Sequence, residues 1–193
     1  MLFFSADLHL EHDNLITKLG RKGFTNPEEH AKVVMENINN KVGPKDTLVI
    51  IGDFSWKNPA KHRMQIKCKN VIFILGNHDN KQKSRQTFGP NLIESKTFKL
   101  FNGALAVCCH YPMIFWDKSH HGSYHFYGHM HNNREKLLND LFPERRSMDV
   151  GIDSAIEILG RAEPFSEVEL MEILKDRKGH DNVEYYKALR GQK

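Results

Sequence analysis

Three short apolar runs, separated by stretches of helical character, constrain this chain more than any other feature. Leu2 to Ala6, Thr47 to Ile51 and Val71 to Leu75 are apolar almost without interruption. A continuous run of this length reads as a strand covered on both faces. Between the first two, Asn26 is placed to cap a helix opened by Pro27. Glu28 and Glu29 suit its positive end, and Val33, Val34, Ile38 and Val42 fall at helical spacing up to Gly43-Pro44. Pro59 to Lys67 and Asn80 to Phe88 read as further helices. Strand and helix alternate three times, which predicts right-handed crossovers and a mainly parallel sheet.

The second half changes character. Thr97 to Phe101, the turn Asn102-Gly103, and Ala104 to Cys109 form a hairpin pattern. Tyr124 to Tyr127 and Ser147 to Ile152 are further strands. Ser166 and Glu169 make a capping box for a helix running to about Lys178, and Asn182 to Leu189 reads as one more helical stretch. The expected fold is an α/β sandwich of mixed sheets flanked by helices, in a single domain over residues 1–193. No apolar stretch approaches the roughly 18 residues needed to span a bilayer. The opening Met-Leu-Phe-Phe-Ser-Ala-Asp lacks the basic region and cleavage site of a signal peptide. A cytoplasmic protein with no membrane partner is the expectation. Three cysteines, Cys68, Cys108 and Cys109, lack framework spacing and read as small buried hydrophobes in a reducing compartment. A net charge of +4 suits an anionic substrate. Lysine and arginine are scattered, and the densest group near a motif, Lys81, Lys83 and Arg85, reads as a solvated helix face. That disfavours a long nucleic acid as partner.

Polar clusters follow the apolar runs in a fixed order: Asp7-Leu8-His9, Gly52-Asp53, Gly76-Asn77-His78-Asp79, His110, and Gly128-His129-Met130-His131. On an extended chain, residues two apart face one side about 7 Å apart. Asp7 with His9, and His129 with His131, could then each serve one cation. Alone, a D-x-H or H-x-H pair is a weak signal that surface loops often give. Gly52-Asp53 after a buried strand is stronger, because glycine permits close backbone approach and a carboxylate can bridge two cations with its two oxygens. Asn77 offers a neutral amide oxygen, and Asp79 is placed to cap the next helix. A lone His110 is more often structural than a ligand. Together the clusters supply what two adjacent divalent cations need to activate a water against a phosphate ester.

This order and its strand-end placement resemble the calcineurin-like metallophosphoesterase superfamily over roughly residues 1–131. The resemblance looks closest to the small single-domain members of bacteria and phages. Their opening motif D-x-H-x-x-H-x-N is here Asp7, His9, His12 and Asn14. The run Asp149-Val150-Gly151-Ile152-Asp153 looks like a terminal strand of such members. The resemblance implies a metallophosphoesterase-type sandwich with one metal held by Asp7, His9, Asp53 and His131. A second would be held by Asp53, Asn77, His110 and His129, with Asp53 and a hydroxide bridging the two. His78 would be the general acid or stabilise charge on the phosphoryl oxygens.

The mixed oxygen and nitrogen donors suit Mn²⁺ first, with Fe²⁺, Zn²⁺, Co²⁺ or Ni²⁺ also compatible, over Ca²⁺ and Mg²⁺. The expected activity is metal-dependent hydrolysis of a small phosphodiester or phosphomonoester. His12 and Asn14, with Asn77 and His78, are candidate substrate contacts. Arg21, Lys57, Lys81, Arg85, Arg134 and Arg145 are candidates for a second anionic group. Tyr111 and Trp116 could stack a base or pack in the core, and His120, His121 and His125 could line the rim. Two other readings stand beside this one, a nuclease for short oligonucleotides and a non-catalytic scaffold. A scaffold would be expected to have lost His78 or some ligands, and all are present.

Overall fold

The computed structural model describes residues 1–18, 20–90 and 92–179. The helical stretch expected at Asn182 to Leu189 lies outside them. Strands β1 (Leu2–Ser5), β2 (Thr47–Ile51) and β3 (Asn70–Ile74) pair in parallel in the order β3-β2-β1. The crossovers contain α1 (Asp13–Thr17), α2 (Pro27–Lys41) and α3 (Pro59–Gln65). Helix α4 (Lys81–Phe88) leads to the antiparallel pair β4 (Ser95–Lys99) and β5 (Leu105–Cys109). Parallel strands β6 (Tyr124–Tyr127) and β7 (Ser147–Asp149) extend that second sheet, with α5 (Glu135–Leu141) between them. Helix α6 (Ile152–Leu159) returns the chain to β8 (Phe165–Ser166), which pairs antiparallel with β1 ahead of α7 (Glu167–Ile173). Both four-stranded sheets are therefore mixed, and the expected α/β sandwich flanked by helices is the one observed.

The apolar runs are continuous because alternate residues serve two cores. Phe3, Leu48, Ile50 and Phe73 join Ala31, Val34, Met35 and Ile38 of α2 in one core. Phe4, Val49, Ile51 and Ile74 meet Phe98, Ala106, Cys108, Phe126 and Met148 of the second sheet in the other. The sheets are stitched where β1 and β7 end. Ala6 N–H donates to the Val150 carbonyl at 3.2 Å, and Ile152 N–H donates to the Ala6 carbonyl at 3.1 Å. Ala6 and Gly151 form a parallel bridge there. The carboxyl ends of the parallel strands thus converge on one edge of the sandwich.

Several local expectations change. The capping box at Ser166 and Glu169 forms, but α7 stops at Ile173 rather than near Lys178. The Asp149 to Asp153 run is not one strand, since β7 ends at Asp149 and α6 begins at Ile152. Asp79 does not cap α4. Asn80 does, accepting from Gln82 N–H at 3.1 Å and Lys83 N–H at 3.0 Å. Cys68 and Cys108 are buried, Cys109 is half-buried, and all three thiols are free. Among the described residues, no helix is long and apolar enough to cross a membrane.

Candidate metal centre

Each cluster sits just beyond the end of a parallel strand, and the structure brings Asp7, His9, Asp53, Asn77, His110, His129 and His131 together there. Asp7, Asp53, His9 and His110 are buried. Asp7 Oδ1 lies 3.8 Å from His9 Nε2 and 3.9 Å from His131 Nε2. Asp53 Oδ2 lies 3.4 Å from both His9 Nε2 and His110 Nε2. Asn77 Oδ1 is 2.9 Å from His110 Nε2 and 2.9 Å from His129 Nδ1. Two groups, Asp7 with His9 and His131, and Asp7 with Asp53 and His110, each hold three ligand atoms within 4.8 Å of one another.

The carboxylates do not present both oxygens to this space. Asp53 Oδ1 accepts from His78 N–H at 2.9 Å, leaving Oδ2 alone between the two histidines. Asp7 Oδ2 accepts from His129 N–H at 2.7 Å, and Oδ1 is left without a hydrogen-bond donor. Asp79 turns inward, accepting from the amides of Asp53 at 2.7 Å, Gly76 at 2.8 Å and Phe54 at 3.1 Å. It ties the β2 and β3 loops together instead of capping a helix.

The residue pairs two apart do share a side, though not by extended geometry. Asp7, His9, Asp53, His129 and His131 all occupy left-handed φ between 45° and 71°. Such strain in non-glycine residues persists only where surrounding structure imposes it, and it concentrates at functional sites. Here the imposing contacts are Asp7 N–H to the Gly52 carbonyl at 3.1 Å and His9 N–H to the Asp53 carbonyl at 2.8 Å. The flanking glycines are required by space. A Cβ on Gly76 would lie 2.2 Å from Asp53 Oδ1, and one on Gly128 would lie 2.6 Å from Asp7 Oδ2.

The tautomers of two histidines follow from their outer partners. His110 Nδ1 faces the Ile51 carbonyl at 2.9 Å, which can only accept, so Nδ1 carries the hydrogen. His131 Nδ1 faces Asp153 Oδ2 at 2.8 Å in the same way. Each ring thereby turns Nε2 toward carboxylate or amide oxygens, the arrangement common to metal-ligating histidines. Burial holds His9 neutral by lowering its pKa to about 2. Burial would raise Asp53, but the hydrogen bond and charge of His110 outweigh it and bring it to about 2. Burial and the nearby charge of Asp149 push Asp7 up to about 7. Burial would lower His110, but Asp53 and Asp7 outweigh it and raise it to about 9. In this charge balance a proton on His110 Nε2 stands where a cation could stand.

The residues fit a metal ion on one test that does not depend on motifs. Asp7 Oδ1 and His9 Nε2 are buried polar atoms without hydrogen-bond partners, and they face each other. An unpaired buried polar atom is costly, and a shared divalent cation satisfies an oxygen and a nitrogen lone pair together.

The remaining candidates divide. His78 and Asn77 are exposed at the mouth, with the His78 ring 5.6 Å from that of His9. His12 is 5.5 Å from His9 and caps α1, its Nδ1 accepting from Leu15 N–H at 2.9 Å. Asn14 is exposed on α1. Tyr111 is half-exposed, 4.8 Å from the ring of His129. Trp116 is buried, its indole N–H donating to Ser123, so the core reading holds for it. His125 is also buried rather than on the rim, held by the Val107 carbonyl and Met113 N–H. The His120 and His121 rings lie 4.1 Å apart, tilted at 43°, and both residues are exposed.

The cations proposed for a second anionic group are mostly committed elsewhere. Arg145 is buried against Glu135 and Tyr127. Lys57 pairs with Asp13, and Lys81 with Glu94. Arg85 and Arg134 are exposed. Arg21 is buried and donates to the Asp7 carbonyl at 2.7 Å, the Leu8 carbonyl at 3.1 Å and both oxygens of Asp153. Arg21 and Asp153 thus brace the Asp7 segment and His131 from behind. Sequence reading missed that role, and the only signal was Asp153 in a run read as a strand. Asp149 was missed too. Its carboxylate accepts from Asn132 N–H at 3.0 Å and Gly151 N–H at 2.7 Å, holding the His131 loop.

No family model matches the chain. It is 30% identical over 156 residues to "Uncharacterized protein MJ1445" of Methanocaldococcus jannaschii, covering 79% of this chain and 81% of the relative. Its structure is similar to that of AQ665, a protein of unknown function from Aquifex aeolicus. The TM-score is 0.69 at 22% identity, over 90% of this chain and 98% of that one. A more partial similarity, TM-score 0.45 at 18% identity over 67% of this chain and 69% of the other, is to YfcE, a phosphoesterase from E. coli.

Proposed function

Starting from a chain that belongs to one family with the archaeal protein MJ1445, we propose that it is a binuclear, metal-dependent phosphohydrolase. Its substrate is a small phosphodiester or phosphomonoester. The observation that carries this reading is the pair of converging donor sets around Asp53 Oδ2, 3.4 Å from His9 Nε2 on one side and from His110 Nε2 on the other. Asp7, His9, Asp53 and His131 would hold one ion, and Asp53, Asn77, His110 and His129 the other, with Mn²⁺ the first to test. Divalent ions held there supply Lewis acidity, which acidifies a water and neutralises phosphoryl oxygens.

The chain's own groups do the rest. His12 Nδ1 is occupied as an acceptor, so its Nε2 carries the hydrogen and can donate to a phosphoryl oxygen at the mouth. His78 stands exposed beside His9, where a leaving group would depart. The attacking water gives one proton to solvent and its oxygen forms the new bond to phosphorus, the bond to the leaving oxygen breaks, and that oxygen takes a proton from the His78 imidazole, which solvent restores. On this reading the free oxygens of Asp7 and Asp53 would serve the ions, and water rather than a carboxylate would be the nucleophile.

Elemental analysis tests the metal reading, with about two transition-metal equivalents expected per chain. A Mn²⁺-supplemented screen of bis-p-nitrophenyl phosphate and p-nitrophenyl phosphate tests the chemistry. Asp53→Asn should weaken both sites and nearly abolish hydrolysis. A protein that takes up no Mn²⁺, or an Asp53→Asn variant with near-normal turnover, overturns the reading.

A further inference from the structure

The mouth of the site is aromatic rather than cationic, and its most prominent group is a tryptophan with no assigned role. Trp56 is 47% exposed, although it is one of only two tryptophans in the chain and sits beside the motifs. Its ring lies 4.0 Å from that of His12 and 5.6 Å from that of His78. It is not a loosely tethered surface residue. Beyond the ends of β1 and β2 the two backbones stay paired: Leu10 N–H donates to the Phe54 carbonyl at 3.1 Å, and Trp56 N–H donates to the Leu10 carbonyl at 2.9 Å. The same pairing includes His9 N–H to the Asp53 carbonyl. Trp56 is therefore fixed in one frame with two of the candidate ligands.

We propose that Trp56 is a specificity-determining platform on which a planar, nucleobase-like ring of the substrate stacks on the leaving-group side. This rests on the phosphohydrolase reading above and deepens it. Three features support the assignment. First, Trp56 adjoins His78, the group placed to protonate the leaving oxygen, so its ring flanks the departing half of the ester. Second, the His12 ring neighbours both Trp56, at 4.0 Å, and the candidate ligand His9, at 5.5 Å. Trp56 and the donor cluster are thus near neighbours through one shared ring, which suits a planar ring joined to phosphorus through a short linker such as a sugar. Third, Arg21, Lys57, Lys81 and Arg145 are all engaged in ion pairs. Arg21 and Arg145 are buried in theirs, so neither is free to hold a second phosphoryl group beside the ring. Stacking of a base on an aromatic side chain is tolerant of base identity. A preorganised platform loses little freedom on binding.

The test compares two ligands that differ only in the ring. They are the phosphonate analogues of adenosine 5′-monophosphate and ribose 5-phosphate, with carbon in place of the scissile oxygen. Affinities are measured by calorimetry on the Mn²⁺-loaded protein. The adenosine compound should bind about tenfold or more tighter, a preference that Trp56→Ala should remove and Trp56→Phe largely keep. Tryptophan emission should fall on binding the adenosine compound in the wild type and not in Trp56→Phe, where only the buried Trp116 remains. Equal affinities in the wild type, or an undiminished preference in Trp56→Ala, overturn the proposal. Turnover separates the two readings. A chain that hydrolyses no phosphoester but still shows the Trp56-dependent preference refutes the hydrolase and leaves the platform standing. Mn²⁺-dependent hydrolysis without the preference does the reverse.

Discussion

Replacing Asp153 with asparagine probes whether the support behind His131 sets metal affinity as well as stability. Asp153 Oδ2 accepts from Arg21 Nη2 at 2.8 Å and from His131 Nδ1 at 2.8 Å, while Oδ1 accepts from Arg21 Nε at 3.1 Å. Burial would raise this carboxyl, but His131 and Arg21 outweigh it and hold it near 2. Asparagine keeps the shape, loses the charge, and must aim its NH₂ at one of three N–H donors. The Arg21 side chain is fully buried, so its guanidinium would be left without a counter-charge. Breaking a buried pair by removing one partner costs about 3–5 kcal/mol. The Asp153 side chain is 20% exposed, which admits some water and points to the lower end, about 3 kcal/mol. The second effect is on the ligand. Without a carboxylate on Nδ1, His131 loses both its fixed tautomer and part of its basicity, and such partners typically contribute 10–100-fold in metal affinity. Urea unfolding of metal-free protein reads the first effect and Mn²⁺ calorimetry the second. A drop in stability with unchanged Mn²⁺ affinity would reduce Arg21 and Asp153 to a structural clamp. Wild-type values for both would refute the reasoning altogether.

His78→Ala should keep metal content, because His78 holds Asp53 through its backbone N–H. Turnover should fall on the order of 10²–10⁴-fold, most for poor leaving groups, and equal loss on p-nitrophenyl and alkyl esters would count against the acid role. Gly52→Ala places a Cβ 2.4 Å from His110 Nδ1 at φ +82°, whereas Gly160→Ala at φ +73° meets nothing within 4 Å. Both carry the left-handed cost of about 1–2 kcal/mol. Only Gly52→Ala should also lose Mn²⁺ binding, and equal effects in the two variants would show that His110 is not held by that packing. Burial lowers the pKa of His125 to about 4 from 6.5, so the unfolded chain takes up this proton first as pH falls. Stability should therefore be lost between pH 6.5 and 4, by up to about 3 kcal/mol from this group, and His125→Gln should flatten the urea-derived curve in that window.

The order of the site residues was legible because each lies a few positions past a strand whose apolar run is self-evident. Parallel strands in one sheet must end on the same edge. Once Leu2–Ser5, Thr47–Ile51 and Asn70–Ile74 are strands, Asp7, Asp53 and Asn77 are neighbours by topology alone. The local geometry was not legible, and the reason is specific. The extended rule that puts Asp7 and His9 on one face gives the right outcome by the wrong route. Both residues are left-handed, a state that their own side chains disfavour and that the carbonyls of Gly52 and Asp53 impose from another strand. Arg21 was misread for a related reason. A lone arginine in a polar loop looks solvent-facing, whereas here the Asp7 and Leu8 carbonyls both accept from its buried guanidinium. Five strained residues at on the order of 1–3 kcal/mol each are a heavy burden for a domain of this size. They bring Asp7 Oδ1 and His9 Nε2 to 3.8 Å from each other with no hydrogen-bond partner for either, an arrangement that a bound cation would relieve. Bound Mn²⁺ should stabilise the fold by about 2.7 kcal/mol at a hundredfold excess over its dissociation constant, read by urea unfolding with and without the metal, and an unchanged curve would refute the cation reading.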